Sequence, residues 1–260
     1  MDFALLATLF FIGLLGAFFS GLLGLGGAII LVPLLLYLPP VLGLEALDMK
    51  QVSGITIIVV FASALTGMIV HNKNRLVLKS LVVLMGATAV VAAFAGAVYS
   101  KQTSSETLVL IFAVMATFAA LLMLVPRAEA AESVSLEEIT YSKPGAFIIA
   151  LTIGFVGGMV GAPGAYIFGP LMMYALKLPT KIAIGSTMGI AFVASISGAA
   201  GKLITGQVPY LLAAAVVLGA VPGARIGARF TKKIPAKKLR WALAAVVAIA
   251  ALRMWLDVLG

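Results

Sequence analysis

Two apolar segments of this chain carry more glycine and proline than an unbroken helix tolerates, and each is a version of the other. The first reads GLLGLGGAIILVPLLLY from Gly21 to Tyr37, the second GMVGAPGAYIFGPLMMY from Gly158 to Tyr174. Aligned, Gly21, Gly24, Gly27, Pro33 and Tyr37 meet Gly158, Gly161, Gly164, Pro170 and Tyr174. The chemistry such segments offer is that of the backbone. Where the chain unwinds at Gly24, Gly26 and Gly27, or at Gly161 and Gly164, the N–H groups opening the next short helix lack an intrahelical acceptor. They form the positive end of a helix dipole and point donors at an anion. Two such starts facing each other across the repeat would bind an anion without a lysine. The competing role is close helix packing through small residues, which suits Gly154, Gly158, Gly219, Gly223 and Gly227.

Hydroxyls come next. Thr56 and Thr187 occupy matching places, after Gly54 and Gly185. Each can donate to a sulfonate or carboxylate oxygen, or bond a carbonyl one turn back in its own helix. Ser53, Ser186, Ser195 and Ser197 rank below them. Arg225 and Arg229, four residues apart at the end of an apolar run, read first as anchors snorkelling to an interface. The sharper role for Arg225, one turn deeper, is attraction of an anion at the inner mouth. His71, the only histidine, stands beside Lys73 and reads as interfacial.

Several kinds of chemistry are not encoded. There is no cysteine, no His/Asp/Glu cluster with metal-ligand spacing and no phosphate-binding glycine loop. No acid, base and nucleophile share a segment. The sequence therefore predicts no enzyme, no catalytic residue, no metal and no cofactor. Apart from Asp257 near a helix end, the acids lie in loops, in a polar linker or at the N-terminus. No titratable group inside an apolar run is evident, so an obligatory coupled proton is not expected.

These residues must be positioned by membrane helices. Hydrophobic residues make up 63% of the 260 and charged residues 10%, against about a quarter charged in soluble domains. Apolar runs fall at about 3–23, 27–38, 51–70, 79–99 and 106–125, and again at about 145–160, 164–176, 182–201, 208–230 and 238–257. The second run of each half is too short to cross about 30 Å of hydrocarbon, so it pairs with the run before it as a re-entrant hairpin or broken helix. The reading is an all-α polytopic integral membrane protein in one transmembrane domain. Repeat one is 1–125, a polar linker covers 126–143, and repeat two is 144–260, each repeat a Gly/Pro-broken short helix pair plus three spanning helices.

Basic residues give the orientation. Lys73, Arg75 and Lys79 follow the third run, whereas Lys202 alone follows its counterpart; Lys101 alone follows the fourth run, whereas Arg229, Lys232, Lys233, Lys237, Lys238 and Arg240 follow its counterpart. By the positive-inside rule equivalent loops lie on opposite sides, so the repeats are inverted, with the linker cytoplasmic and both termini outside. The same rule accounts for the net charge of +9 and removes nucleic acid as a partner.

The segments GLLGLGGAIILVP and GGMVGAPGAYIFGP, the elements Gly54-Ile55-Thr56 and Gly185-Ser186-Thr187, and His71 closing the third run together resemble the sulfite exporter TauE/SafE family. One departure is that Leu25-Gly26 in the first copy faces Ala162-Pro163 in the second. The resemblance implies a multi-pass cell-membrane transporter moving small sulfur-containing or organic anions. The expected function is a secondary transporter of the sulfite/organosulfonate class, with export favoured. The substrate-binding residues are Gly24, Gly26, Gly27, Thr56, Gly161, Gly164 and Thr187, with Arg225 attracting the substrate. Organic-anion uptake, an anion channel and a non-transporting scaffold are the alternatives. Its partners are a small anion and the lipid bilayer, with assembly of copies of the chain a further option.

Overall fold

A computed structural model describes residues 3–23, 27–73, 76–124, 139–163, 165–231 and 233–259. The described residues form ten α-helices and one 3-10 turn, with no strand. They are α1 (Phe3–Leu23), α2 (Ala28–Val41), α3 (Met49–Lys73), α4 (Lys79–Tyr99), α5 (Ser105–Leu124), α6 (Lys143–Met159), α7 (Ala165–Tyr174), α8 (Thr180–Ile204), α9 (Tyr210–Thr231) and α10 (Ala236–Leu259). Seven are long and apolar enough to cross a membrane: α1, α3, α4, α5, α8, α9 and α10. The protein is thus a multi-pass membrane protein. In the first half the helix preceding the break is not short, since α1 has 21 residues while its counterpart α6 has 17. The polar linker falls mostly outside the described residues.

Packing exchanges the two halves. Helix α1 lies along α9, and α6 lies along α4. The glycines assigned to close packing do that work: a Cβ on Gly227 would overlap the Phe18 carbonyl, and one on Gly96, its counterpart, would overlap the carbonyl of Phe155, the counterpart of Phe18. Gly21 meets Ala224 as Gly158 meets Ala93, and Gly54 meets Gln207 as Gly185 meets Leu76. Backbones this close leave no room for a side chain, and dispersion between them replaces the hydrophobic drive that lipid removes.

The centre is the pair α3 and α8. Gly67 near the end of α3 faces Met188 near the start of α8, and Gly198 near the end of α8 faces Ile57 near the start of α3. The two helices therefore run antiparallel. Phe61 and Phe192, at matching places in the two repeats, stack on each other with centroids 5.6 Å apart. Helices α5 and α10 pair similarly, with Trp255 Nε1 donating to Thr117 Oγ1 at 2.7 Å. Each broken hairpin leaves from the end at which it entered. Leu5, at the start of α1, lines one cavity with Gly43 and Leu44, just past α2, and with Pro209 and Tyr210 at the start of α9.

Candidate functional site

The first break lies between Leu23 and Ala28, and Gly24 and Gly26 fall outside the described residues. Gly27 opens α2 with φ +90°, a left-handed conformation that costs an L-residue about 1–2 kcal/mol. Its carbonyl accepts from Ile30 and Leu31 at 3.1 and 3.0 Å, and no side chain caps the helix. Beside it stands Ser20, fully buried, whose hydroxyl has no hydrogen-bond partner among the described residues. A Cβ placed on Gly27 would sit 3.6 Å from that oxygen. In a membrane helix a serine ordinarily bonds a carbonyl one turn back; Ser20 does not, and its donor is uncommitted at the start of α2. The same end of α1 is closed by Thr231, whose hydroxyl lies 3.2 Å from the Gly21 carbonyl and 2.9 Å from that of Leu22.

The second break is built otherwise. Gly161 has φ +71°, its N–H reaches the Gly158 carbonyl at 3.4 Å, and the Ala162 N–H reaches that of Gly157 at 2.8 Å. This is the Schellman pattern that ends a helix on a left-handed glycine. The Gly161 amide is therefore spent on capping α6, contrary to the expectation that it stands free for an anion. Pro163 has no N–H, and Gly164 lies outside the described residues.

What the second break holds instead is Lys202, in the last turn of α8 and fully buried. Its ammonium donates to Ser100 Oγ at 2.7 Å, Ser53 Oγ at 2.8 Å, Gln207 Oε1 at 3.0 Å and the Met159 carbonyl at 3.1 Å. A buried titratable group thus does lie within a spanning helix, which corrects the expectation that none is present. The sequence reading took Lys202 for a loop residue because it closes an apolar run. Three of its four partners, Ser53, Ser100 and Met159, come from distant stretches of chain, invisible to local pattern. One signal was available: at the matching place in repeat one stands the only histidine, His71.

The two breaks do not face each other. Gln207, which touches Lys202, precedes α9, and Thr231, which touches Leu22, ends it. A 22-residue helix separates them, about 33 Å at 1.5 Å per residue. Even with side-chain reach subtracted, the breaks occupy opposite ends of the bundle and cannot share one small ligand.

The paired threonines also part company. Both are fully buried. Thr56 Oγ1 lies 2.9 Å from the Val52 carbonyl and 3.2 Å from that of Ser53, so its proton is used within α3. Thr187 Oγ1 has no partner among the described residues, and a Cβ on Gly169 of α7 would stand 3.8 Å from it. Ser186 is occupied by the Leu78 N–H at 2.9 Å, and Ser195 and Ser197 bond their own helix. Arg225 and Arg229 are exposed, on the side of α9 away from α1, while Ala224 and Ala228 are buried against it. That geometry suits an interfacial anchor. The side chain of His71 is outside the description. Among the described residues no group of three or more His, Asp or Glu side chains could hold a metal.

A family model described as "Sulfite exporter TauE/SafE" matches residues 9–254, almost the whole chain. The chain belongs to the TauE/SafE family. Relatives agree across their length. The chain is 29% identical over 256 residues to the "Probable membrane transporter protein YunE" of Bacillus subtilis (strain 168), covering 92% of each. It is 26% identical to the "Probable membrane transporter protein YdhB" of the same organism, over 89% of this chain and 93% of the relative. To a "Probable membrane transporter protein" of Xylella fastidiosa (strain 9a5c) it is 26% identical, over 87% and 84%. No solved structure matches. As a TauE/SafE protein the chain is a membrane transporter. The family's glycine-rich breaks are, in this member, two unlike fittings: uncommitted donors at one end and a buried ammonium at the other.

Proposed function

We propose that the protein is a secondary transporter of small anions, with sulfite and organosulfonates as its substrate class and export as its direction. The observation that carries this reading is the start of α2, where the buried Ser20 hydroxyl has no partner among the described residues and stands beside a glycine-opened helix with no side-chain cap. An unpaired buried donor is costly, and an anion oxygen is the acceptor that a helix N-terminus favours. Gly24, Gly26 and Gly27 then belong to the substrate path, with Thr187 a second uncommitted donor, Gly164 at the other break and Arg225 at the interface.

In this reading the halves, 1–125 and 144–260 about the linker 126–143, are inverted repeats of one transmembrane domain. Antiparallel packing of α3 on α8 supports that relation, because a two-fold exchanging antiparallel helices lies across them and hence in the membrane plane. Breaks at opposite ends suit a carrier that opens to one side at a time.

The test is a binding screen of purified protein against sulfite, thiosulfate, sulfoacetate and simple carboxylates, followed by flux in proteoliposomes. Saturable binding of a sulfur oxyanion and flux stimulated by substrate on the far side are expected. Unsaturable flux would make the protein a channel, and absence of both binding and flux would refute transport of these anions.

A further inference from the structure

Lys202 carries a charge that its visible structural task does not need. At each break the carbonyls ending the first hairpin helix require a donor. At the first break Thr231 supplies it, through a neutral hydroxyl 2.9 Å from the Leu22 carbonyl. At the second break the matching carbonyl, that of Met159, receives Lys202 at 3.1 Å. The residue matching Thr231 there is Ser100, which would do for the same purpose, yet its hydroxyl lies 2.7 Å from the Ala97 carbonyl and accepts from Lys202. A hydroxyl suffices at one end and an ammonium is placed at the other.

That ammonium has no counter-ion among its partners. Its four acceptors are two hydroxyls, one amide oxygen and one carbonyl, all neutral. Two lysines at this end add to it, the Lys50 carbonyl accepting from Ser53 and Lys50 Nζ donating to the Lys101 carbonyl at 3.2 Å, while the exposed Glu106 carboxylate stands close enough to Lys50 to offset part of its charge. The nearby acid Asp48 is engaged with the Gln51 N–H at 2.8 Å. A buried charge is ordinarily paired. Four acceptors compete for three protons, so one bond can be exchanged without stranding a donor. The cover over the site is Gln207, half-buried, whose amide nitrogen bonds Thr205 Oγ1 at 2.7 Å and the Ala97 carbonyl at 3.3 Å.

We propose that Lys202 is the charge-recognising residue of the second break: a transported anion displaces one of its neutral acceptors, Gln207 first, and becomes its counter-ion. This rests on the anion-carrier reading above and adds to it where the substrate charge is met. An oxyanion brings Lys202 a full opposite charge where Gln207 offers only an amide dipole, so the exchange runs towards the anion. Lys50 and Lys101 raise the local anion concentration at the same mouth. Specificity follows, since an uncharged analogue of the substrate offers Lys202 nothing better than Gln207.

The chain has no cysteine, which makes a charge-rescue experiment clean. Full-length K202M, K202R and K202C are purified, and affinity is measured with whichever of sulfite, thiosulfate or sulfoacetate the wild type binds best. K202M is expected to bind about thirtyfold more weakly or worse, the usual loss on truncating one side of a buried charge pair. K202C is expected to be equally weak and to recover to within a few-fold on treatment with 2-aminoethyl methanethiosulfonate, which restores an ammonium. Methyl methanethiosulfonate, which restores bulk alone, should not rescue it. Binding by K202M equal to wild type overturns the proposal. So does loss of binding that neither K202R nor aminoethylation restores, since Lys202 would then be only a brace between α3, α6 and α8. If K202M does not fold, K202C before and after each reagent decides alone. Failure of the wild type to bind any of these anions counts against the carrier reading itself, a different outcome from wild-type binding that ignores Lys202.

Discussion

Replacing Ser20 with alanine should move stability and affinity in opposite directions. The Ser20 hydroxyl is fully buried and has no hydrogen-bond partner among the described residues. Removing it eliminates an unsatisfied polar group, whose burial costs about 1–3 kcal/mol, and replaces serine with a residue that helices favour. Thermal stability in detergent should therefore hold or rise. If the hydroxyl donates to a bound anion, the variant loses one hydrogen bond to a charged acceptor, about 1.5–3 kcal/mol. The dissociation constant should rise about 10- to 150-fold at a tenfold change per 1.4 kcal/mol. Thr187→Val is the matching test on α8, where the hydroxyl is likewise unpartnered. Thr56→Val is the control, because Thr56 already spends its proton on the Val52 carbonyl; affinity there should stay within about twofold. Isothermal titration on the three variants, alongside thermal unfolding, reads both quantities. Unchanged affinity in Ser20→Ala would refute the role assigned to the start of α2, and weakened affinity in Thr56→Val alone would reverse the assignment of the pair.

Other consequences can be checked directly. Gly227→Ala and its counterpart Gly96→Ala should each destabilise by about 3 kcal/mol or more, the upper end for overpacking; the new Cβ atoms meet backbone at 2.8 Å (Phe18 C and Phe155 C), which cannot yield as a side chain would. Gly43→Ala, with nothing within 4 Å but φ +71°, should cost only about 1 kcal/mol of backbone strain, and equal melting temperatures for all three would contradict the packing argument. With S104C and K237C as single cysteines, an impermeant thiol reagent added outside intact cells should label position 104 only. A label at 237 would overturn the orientation. A monoanion leaving a cell at 100 mV, negative inside, gains about 2.3 kcal/mol, so flux in proteoliposomes should follow an imposed potassium-diffusion potential. Flux driven by a pH gradient with the potential clamped at zero would show a proton in the cycle, and Lys202 would be the first residue to mutate.

Helices were legible because charge is so sparse: apolar runs are bounded either by lysines and arginines or by glycine- and proline-rich stretches, and the helix ends fall within a few residues of the runs. The duplicated motif made the repeat legible too, and the four-residue spacing of Gly219, Gly223 and Gly227 announced a packing face, though not that α1 would fill it. The polar site was legible only in part. Whether a buried threonine spends its proton at home, as Thr56 does, or keeps it, as Thr187 does, depends on neighbours that sequence does not place. Gly161 looked like an opener of α7 and is a stop for α6, because its amide completes the helix behind it. Lys202 was passed over because its partners, at 53, 100, 159 and 207, converge only when the halves interlock.

That interlocking fixes an order of assembly. Thr231 and Gly21 touch across 210 residues of chain, whereas α6 finds α4 almost as soon as it is made, with Gly96 against Phe155. During synthesis the first helix enters the bilayer with its glycine face bare and waits until the ninth emerges. The capture of α1 by α9 closes the molecule, and it is the step at which a truncated chain, or one half made without the other, must stop. Supplying the missing half from a second transcript should let that step proceed, since the seam between α1 and α9 joins separate stretches of polypeptide in any case.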